Sequence, residues 1–123
     1  MSSLSYVAPV FVVRDLERSL PYYRDRMGFA IDFVYEGAYA SVVRDGCHIH
    51  LKSGTAEVRE SSFAGDADHI DACFSVLKVS ALACEFEVAG VTFSVPLRQM
   101  PYGHEFYVRD PDGYTLAFVQ APG

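Results

Sequence analysis

The side chains of this chain with the chemistry to bind or react gather on strand segments, and their spacing sets which face they share. His48 and His50 alternate with Cys47, Ile49 and Leu51, so both imidazoles project from the more polar face of one strand. His69, Asp71 and Cys73 alternate in the same way with Ile70, Ala72, Phe74 and Val76. Glu105 and Tyr107 oppose Phe106 and Val108 on a third strand. These groups titrate, donate and accept hydrogen bonds. Isolated on a strand wall, their commonest role is to bond a ligand, water or one another. Cys73 has no basic partner fixed by the sequence and reads as a small buried hydrophobe, not a nucleophile.

The elements that must position them follow from periodicity and turn chemistry. Tyr6 to Val13 reads as a strand, and Pro9, which has no N–H for a ladder, places it at a sheet edge or across to another subunit. Asp15 opens a helical stripe of Leu16, Leu20, Tyr23 and Met27 that ends at Gly28. Pro21 is awkward inside it unless the first turn is loose and Ser19 caps the helix proper. Strands follow at 29–35, 39–45 and 47–52, joined by Glu36-Gly37 and Asp45-Gly46 turns. Residues 53–68 are small and polar and read as a linker or mobile loop, with Phe63 as an anchor or a lid. Then come a strand at 69–76, a helical stripe of Val79, Leu82, Ala83 and Phe86 ending near Gly90, and a strand at 91–95 interrupted by Pro96. The closing hairpin turns on Asp110-Pro111-Asp112-Gly113.

At 123 residues the chain is long enough for one domain with a real core, or two very small halves sharing a sheet. Half of it is hydrophobic, which argues against disorder, and a net charge of -6 argues against nucleic acid and anionic membranes as partners. Three cysteines, Cys47, Cys73 and Cys84, fit no metal or redox motif. No stretch approaches the roughly 18 apolar residues of a membrane span. The expectation is a reduced, cytoplasmic protein.

The two halves repeat. Val13, Leu16 and Tyr23 match Val76, Val79 and Phe86 at an offset of 63, and Val43-Arg44-Asp45 matches Val108-Arg109-Asp110 at 65. Each half reads strand, helix, three strands, and such short repeats need each other to bury a core. The offset of 63 makes Ala8 equivalent to Asp71, and the shared distance of four residues from the turn glycine, Gly46 or Gly113, makes His50 equivalent to Ala117. A pseudo-two-fold would bring these four positions to one cup.

Paired strand-helix-three-strand modules, with Arg14-Asp15, Tyr22-Tyr23-Arg24-Asp25-Arg26-Met27-Gly28-Phe29, Val42-Val43-Arg44-Asp45 and Gly103-x-Glu105-Phe106-x-x-Arg109-Asp110-Pro111, resemble the vicinal oxygen chelate superfamily. It embraces glyoxalase I, fosfomycin resistance enzymes, ring-cleaving dioxygenases and bleomycin resistance proteins, and the last resemble this chain most. The resemblance spans essentially the whole chain. It implies an α+β fold of two βαβββ modules, about 5–53 and 69–120, forming a cupped mixed sheet and paired in a homodimer with an exchanged first strand.

Metal-dependent members carry ligands at positions matching Ala8, His50, Asp71 and Ala117, and the two alanines cannot ligate. The resemblance implies a metal-independent binding protein without cofactor, sequestering an aromatic ligand such as a glycopeptide antibiotic in a groove at the dimer interface. Phe33, Tyr39 and Tyr102 stand where the bleomycin resistance proteins stack aromatic side chains on the drug, with Tyr102 in place of their tryptophan. His50, Asp71 and Glu105 would hydrogen-bond from the cup. The alternative is a divalent-metal-dependent lyase, isomerase or dioxygenase with one ion on His50, His69 and Glu105. A third reading is a partner-binding module with no small ligand.

Overall fold

The computed structural model describes residues 3–54 and 69–122, so the 53–68 loop and Phe63 lie almost wholly outside the described residues. The chain forms two compact units, 1–56 and 57–123. Each carries one strand, one helical segment and three further strands around its own four-stranded mixed sheet.

In the first unit the strands are β1 (Val10–Val13), β2 (Ala30–Tyr35), β3 (Tyr39–Arg44) and β4 (Cys47–Ser53), in sheet order β1-β4-β3-β2. β1 runs parallel to β4, with Val10 opposite His50, and the other neighbours are antiparallel. Helix α1 (Leu16–Pro21) continues as a π-helical turn over Tyr22–Arg26. Leu16, Tyr23 and Met27 on this segment are buried, as are Phe11, Val13, Ala40, Val42, Ile49 and Leu51 on the strands. Alternation therefore leaves Tyr39, Ser41, His48 and His50 on the other face.

The second unit repeats the plan with β5 (Ala72–Ser75), α2 (Val79–Ala89), β6 (Thr92–Met100), β7 (Gly103–Arg109) and β8 (Thr115–Gln120), ordered β5-β8-β7-β6. Cys73 opposite Ala117 holds the place that Val10 opposite His50 holds in the first unit. Phe106 stacks on Phe118 with centroids 5.1 Å apart, and Phe86 of α2 meets both edge-on. Such pairs add about 0.5–1.5 kcal/mol each beyond the area they bury. In the closing turn the Asp110 carboxylate accepts from the N–H groups of Asp112 and Tyr114, and the Gly113 N–H reaches the Asp110 carbonyl.

Four expectations need correction. β1 begins at Val10, not Tyr6, so Pro9 precedes the strand, and its carbonyl accepts from the His50 N–H at 2.9 Å; β1 lies at an edge of its sheet. The helix is capped by Asp15, whose carboxylate accepts from Glu17 N–H at 3.0 Å, and not by Ser19. Pro21 is absorbed by widening the next turn, where Met27 N–H reaches back five residues to the Tyr22 carbonyl. β6 does not stop at Pro96. It runs on to Met100 through two register shifts, on a sheet edge where a missing N–H costs no ladder bond. Cys73 is exposed, not buried; partial desolvation and then the negative charge of Glu105 push its thiol above its ordinary value.

Candidate functional site

In the first unit an aromatic and imidazole cluster covers the sheet face turned away from α1. His48 and His50 reach it because β4 alternates, and Tyr39 and Ser41 reach it from β3, where Ser41 pairs with His50. The Phe33 and Tyr39 rings lie within 10° of parallel, centroids 6.5 Å apart, and His50 stands edge-on to both, at 5.8 and 5.3 Å. Tyr39 Oη is 2.8 Å from His50 Nδ1, and Tyr6 Oη is 3.2 Å from Nε2. Each tyrosine hydroxyl can donate or accept, so the direction of each bond follows the tautomer of the imidazole. His48 is held separately. Its Nδ1 lies 3.4 Å from Ser41 Oγ and 3.8 Å from Asp32 Oδ2, and the Tyr6 ring stacks on it at 3.7 Å.

The corresponding face of the second unit holds a buried charge. Glu105 is 1% exposed. Its Oε2 accepts from Arg98 Nε and Nη2 at 2.7 and 2.6 Å, and its Oε1 accepts from Tyr102 Oη at 2.7 Å and from Tyr107 Oη at 3.4 Å. Every lone pair that burial strips of water thus meets a donor, the condition under which a buried carboxylate is tolerated. The Arg98 guanidinium lies over the Tyr107 ring at 5.5 Å. The bond to Glu105, with burial and that carboxylate's charge, pushes the Tyr102 phenol from 10.0 up to about 12.

Tyr102 itself stays 50% exposed, so its hydroxyl is fixed while ring surface remains open. Gly103 shapes the backbone beside it. At φ +137 a Cβ there would collide with the Gln120 carbonyl, so glycine is required for β7 to begin against β8.

The expected site residues therefore divide. Phe33, Tyr39 and His50 come together in the first unit, and Tyr102 and Glu105 in the second. Glu105 faces inward to Arg98 and the tyrosines. Asp71 is tied into the fold: Oδ1 meets His69 Nε2 at 2.9 Å and Oδ2 accepts from Thr115 N–H at 2.8 Å. The donors proposed for an ion are spent on these partners. His50 has a tyrosine on each nitrogen, His69 has Asp71, and Glu105 has Arg98. Among the described residues no group of three His, Cys, Asp or Glu side chains is placed to hold a metal ion. Alanine at positions 8 and 117 offers no side-chain atom that could ligate an ion. Tyr6, Arg98 and Tyr107 are participants that sequence reasoning missed. The signal for Tyr107 was its shared face with Glu105; for Arg98 there was none once β6 was ended at Pro96.

These two βαβββ units define a superfamily. The family model described as Glyoxalase/Bleomycin resistance protein/Dioxygenase superfamily matches residues 3–118, and the chain belongs to that family. The fold is shared with the bleomycin-binding protein of bleomycin-producing Streptomyces verticillus, solved with copper(II)-bleomycin, at 24% identity and TM-score 0.77, covering 99% of this chain and 100% of that one. TioX from Micromonospora sp. ML1 is similar at 20% identity and TM-score 0.75, covering 96% and 99%. TnmS3, an antibiotic binding protein from Streptomyces sp. CB03234, is similar at 18% identity and TM-score 0.73, covering 99% and 100%. No curated protein is a significant match. Among the described residues no helix is long and apolar enough to cross a membrane.

Proposed function

We propose that this chain is a metal-independent binding protein that sequesters a planar aromatic small molecule, of the kind found in glycopeptide antibiotics such as bleomycin. It works as a cytoplasmic homodimer and confers resistance by withholding the compound from its target. The observation that carries the reading is the aromatic surface left open. Phe33, 41% exposed, lies nearly parallel to Tyr39, and Tyr102 is half exposed with its hydroxyl fixed by Glu105. Rings held in place before binding lose little entropy on contact, and that is what a stacking surface needs. Fold neighbours that bind bleomycin or another antibiotic support the reading, and the net charge of -6 suits a cationic compound.

The test is a titration of bleomycin and other planar antibiotics, followed by tyrosine fluorescence with a chelator present. Saturable binding is expected. Tyr102→Ala should weaken it by about 1–3 kcal/mol, roughly 5- to 150-fold in Kd. An affinity unchanged by that substitution contradicts the assignment of Tyr102.

A further inference from the structure

The helices of the two units differ on their outward faces. α2 buries Val79, Ala83 and Phe86 against its own sheet. Its other side presents Ala81, Cys84 and Val88, all exposed, with Leu77 just before the Lys78 cap. Leu77 is 91% exposed and Val88 85%. The repeat offset of 63 sets Leu77, Ala81 and Val88 against Arg14, Arg18 and Asp25, which are exposed on the first unit. The first unit thus places charges where its helical segment meets water, and the second places an apolar stripe there.

We propose that this stripe is a self-association surface, and that its occupant is the α2 of a second copy of this chain, lying antiparallel across a two-fold axis. Leu77, Ala81, Cys84 and Val88 are spaced four, three and four residues apart, the repeat by which two helices seat apolar side chains into one another. The stripe is also complementary to itself. Run antiparallel, Leu77 of one copy meets Val88 of the other at each end, and Ala81 meets Cys84 in the middle. The small central pair lets the axes approach closely, and the larger pair closes both ends. Charge complements charge as well. Lys78 and Glu85, exposed and seven residues apart, line one flank of the stripe, so each Lys78 meets the Glu85 of the other copy.

The stripe and the polar face of the second unit lie on opposite sides of its sheet. Phe86 of α2 meets Phe106 and Phe118, and alternation turns Glu105 and Tyr107 the other way. Association through α2 therefore leaves Tyr102 and Glu105 uncovered, and it neither needs nor blocks ligand capture. The helix has 11 residues, so the contact buries less than the roughly 1,200 Å² of a stable interface, and the association is weak and reversible.

The experiment is sedimentation equilibrium of the whole chain, kept reduced, from about 10 μM to about 1 mM, the range in which so short a contact forms. The average mass should rise above that of the particle present at the lowest concentration, whatever the size of that particle. Val88→Asp, which sets a carboxylate against Leu77 of the other copy at both ends, should abolish the rise. Lys78→Glu alone should weaken association about tenfold, because two attractions become two repulsions. Lys78→Glu combined with Glu85→Lys should restore it, which a variant that merely misfolds cannot do. A mass that stays constant over the whole range overturns the proposal. So does a rise that Val88→Asp leaves intact, or a charge exchange that fails to restore what Lys78→Glu removed.

Discussion

The two units share one topology and one register but use their polar faces in opposite ways. Ser41 pairs with His50 in the first sheet and Tyr107 with Ala117 in the second, so Tyr39 and Glu105, each two residues earlier, occupy the same position. Tyr39 spends its hydroxyl on His50. Glu105 has only alanine in the place of that histidine and turns to Arg98 and Tyr102 instead. The first unit thus gathers rings and imidazoles, with Phe33 left partly exposed. The second hides its charge and offers one aimed ring. Divergence of a repeat here acts on which side chain receives a hydrogen bond, while the backbone plan stays the same.

Breaking the buried half of this comparison should have the largest effect. Glu105→Ala strips Arg98, Tyr102 and Tyr107 of their common acceptor and should cost about 3 kcal/mol in urea denaturation, as loss of one partner of a buried charge pair does. A cost below about 1 kcal/mol would mean that water can replace the carboxylate. The equivalent change in the first unit, Tyr39→Phe, keeps the ring and removes one bond to a partly open histidine. It should cost about 1 kcal/mol by the same measurement. Equal costs at the two positions would erase the distinction drawn between the units.

The smallest effect is alkaline. Tyr102 ionises near 10.0 when unfolded and near 12 on Glu105, so folding favours its neutral form. That stabilisation is complete below pH 10.0 and is lost as the pH rises toward 12. The tyrosinate absorbance of the folded protein minus that of Tyr102→Phe should place this phenol near 12. In Glu105→Gln it should move back toward 10.0. An unmoved phenol would mean that Glu105 does not hold the ring.

Much of this is legible in the sequence. Alternation set His48 and His50 opposite Ile49 and Leu51, and Glu105 and Tyr107 opposite Phe106 and Val108, because a strand has no other period. The internal offset of 63 placed Val10 and Cys73 at matching positions, and the sheets pair them with His50 and Ala117. What stayed hidden depended on non-local pairing. Arg98 meets Glu105 because two register shifts carry β6 past Pro96, and a proline read alone looks like a strand end. Tyr6 looked like the first residue of β1, whereas its side chain turns back onto β4 where no ladder holds its backbone. The roles of Asp71 and Glu105 were hidden for a similar reason. A carboxylate on a strand face looks available until its donors are known, and those donors are a β8 amide and a β6 arginine.

The central claim is that this chain recognises its ligand through aromatic faces and not through a metal centre. The most direct test is the number of ions retained per chain. Untagged protein would be incubated in turn with manganese, iron, cobalt, nickel and zinc, freed of excess ion, and analysed for bound metal. The account predicts close to zero for each. Close to one ion per chain would contradict it, and would mean that His50, His69 or Glu105 leaves its tyrosine, aspartate or arginine partner to ligate.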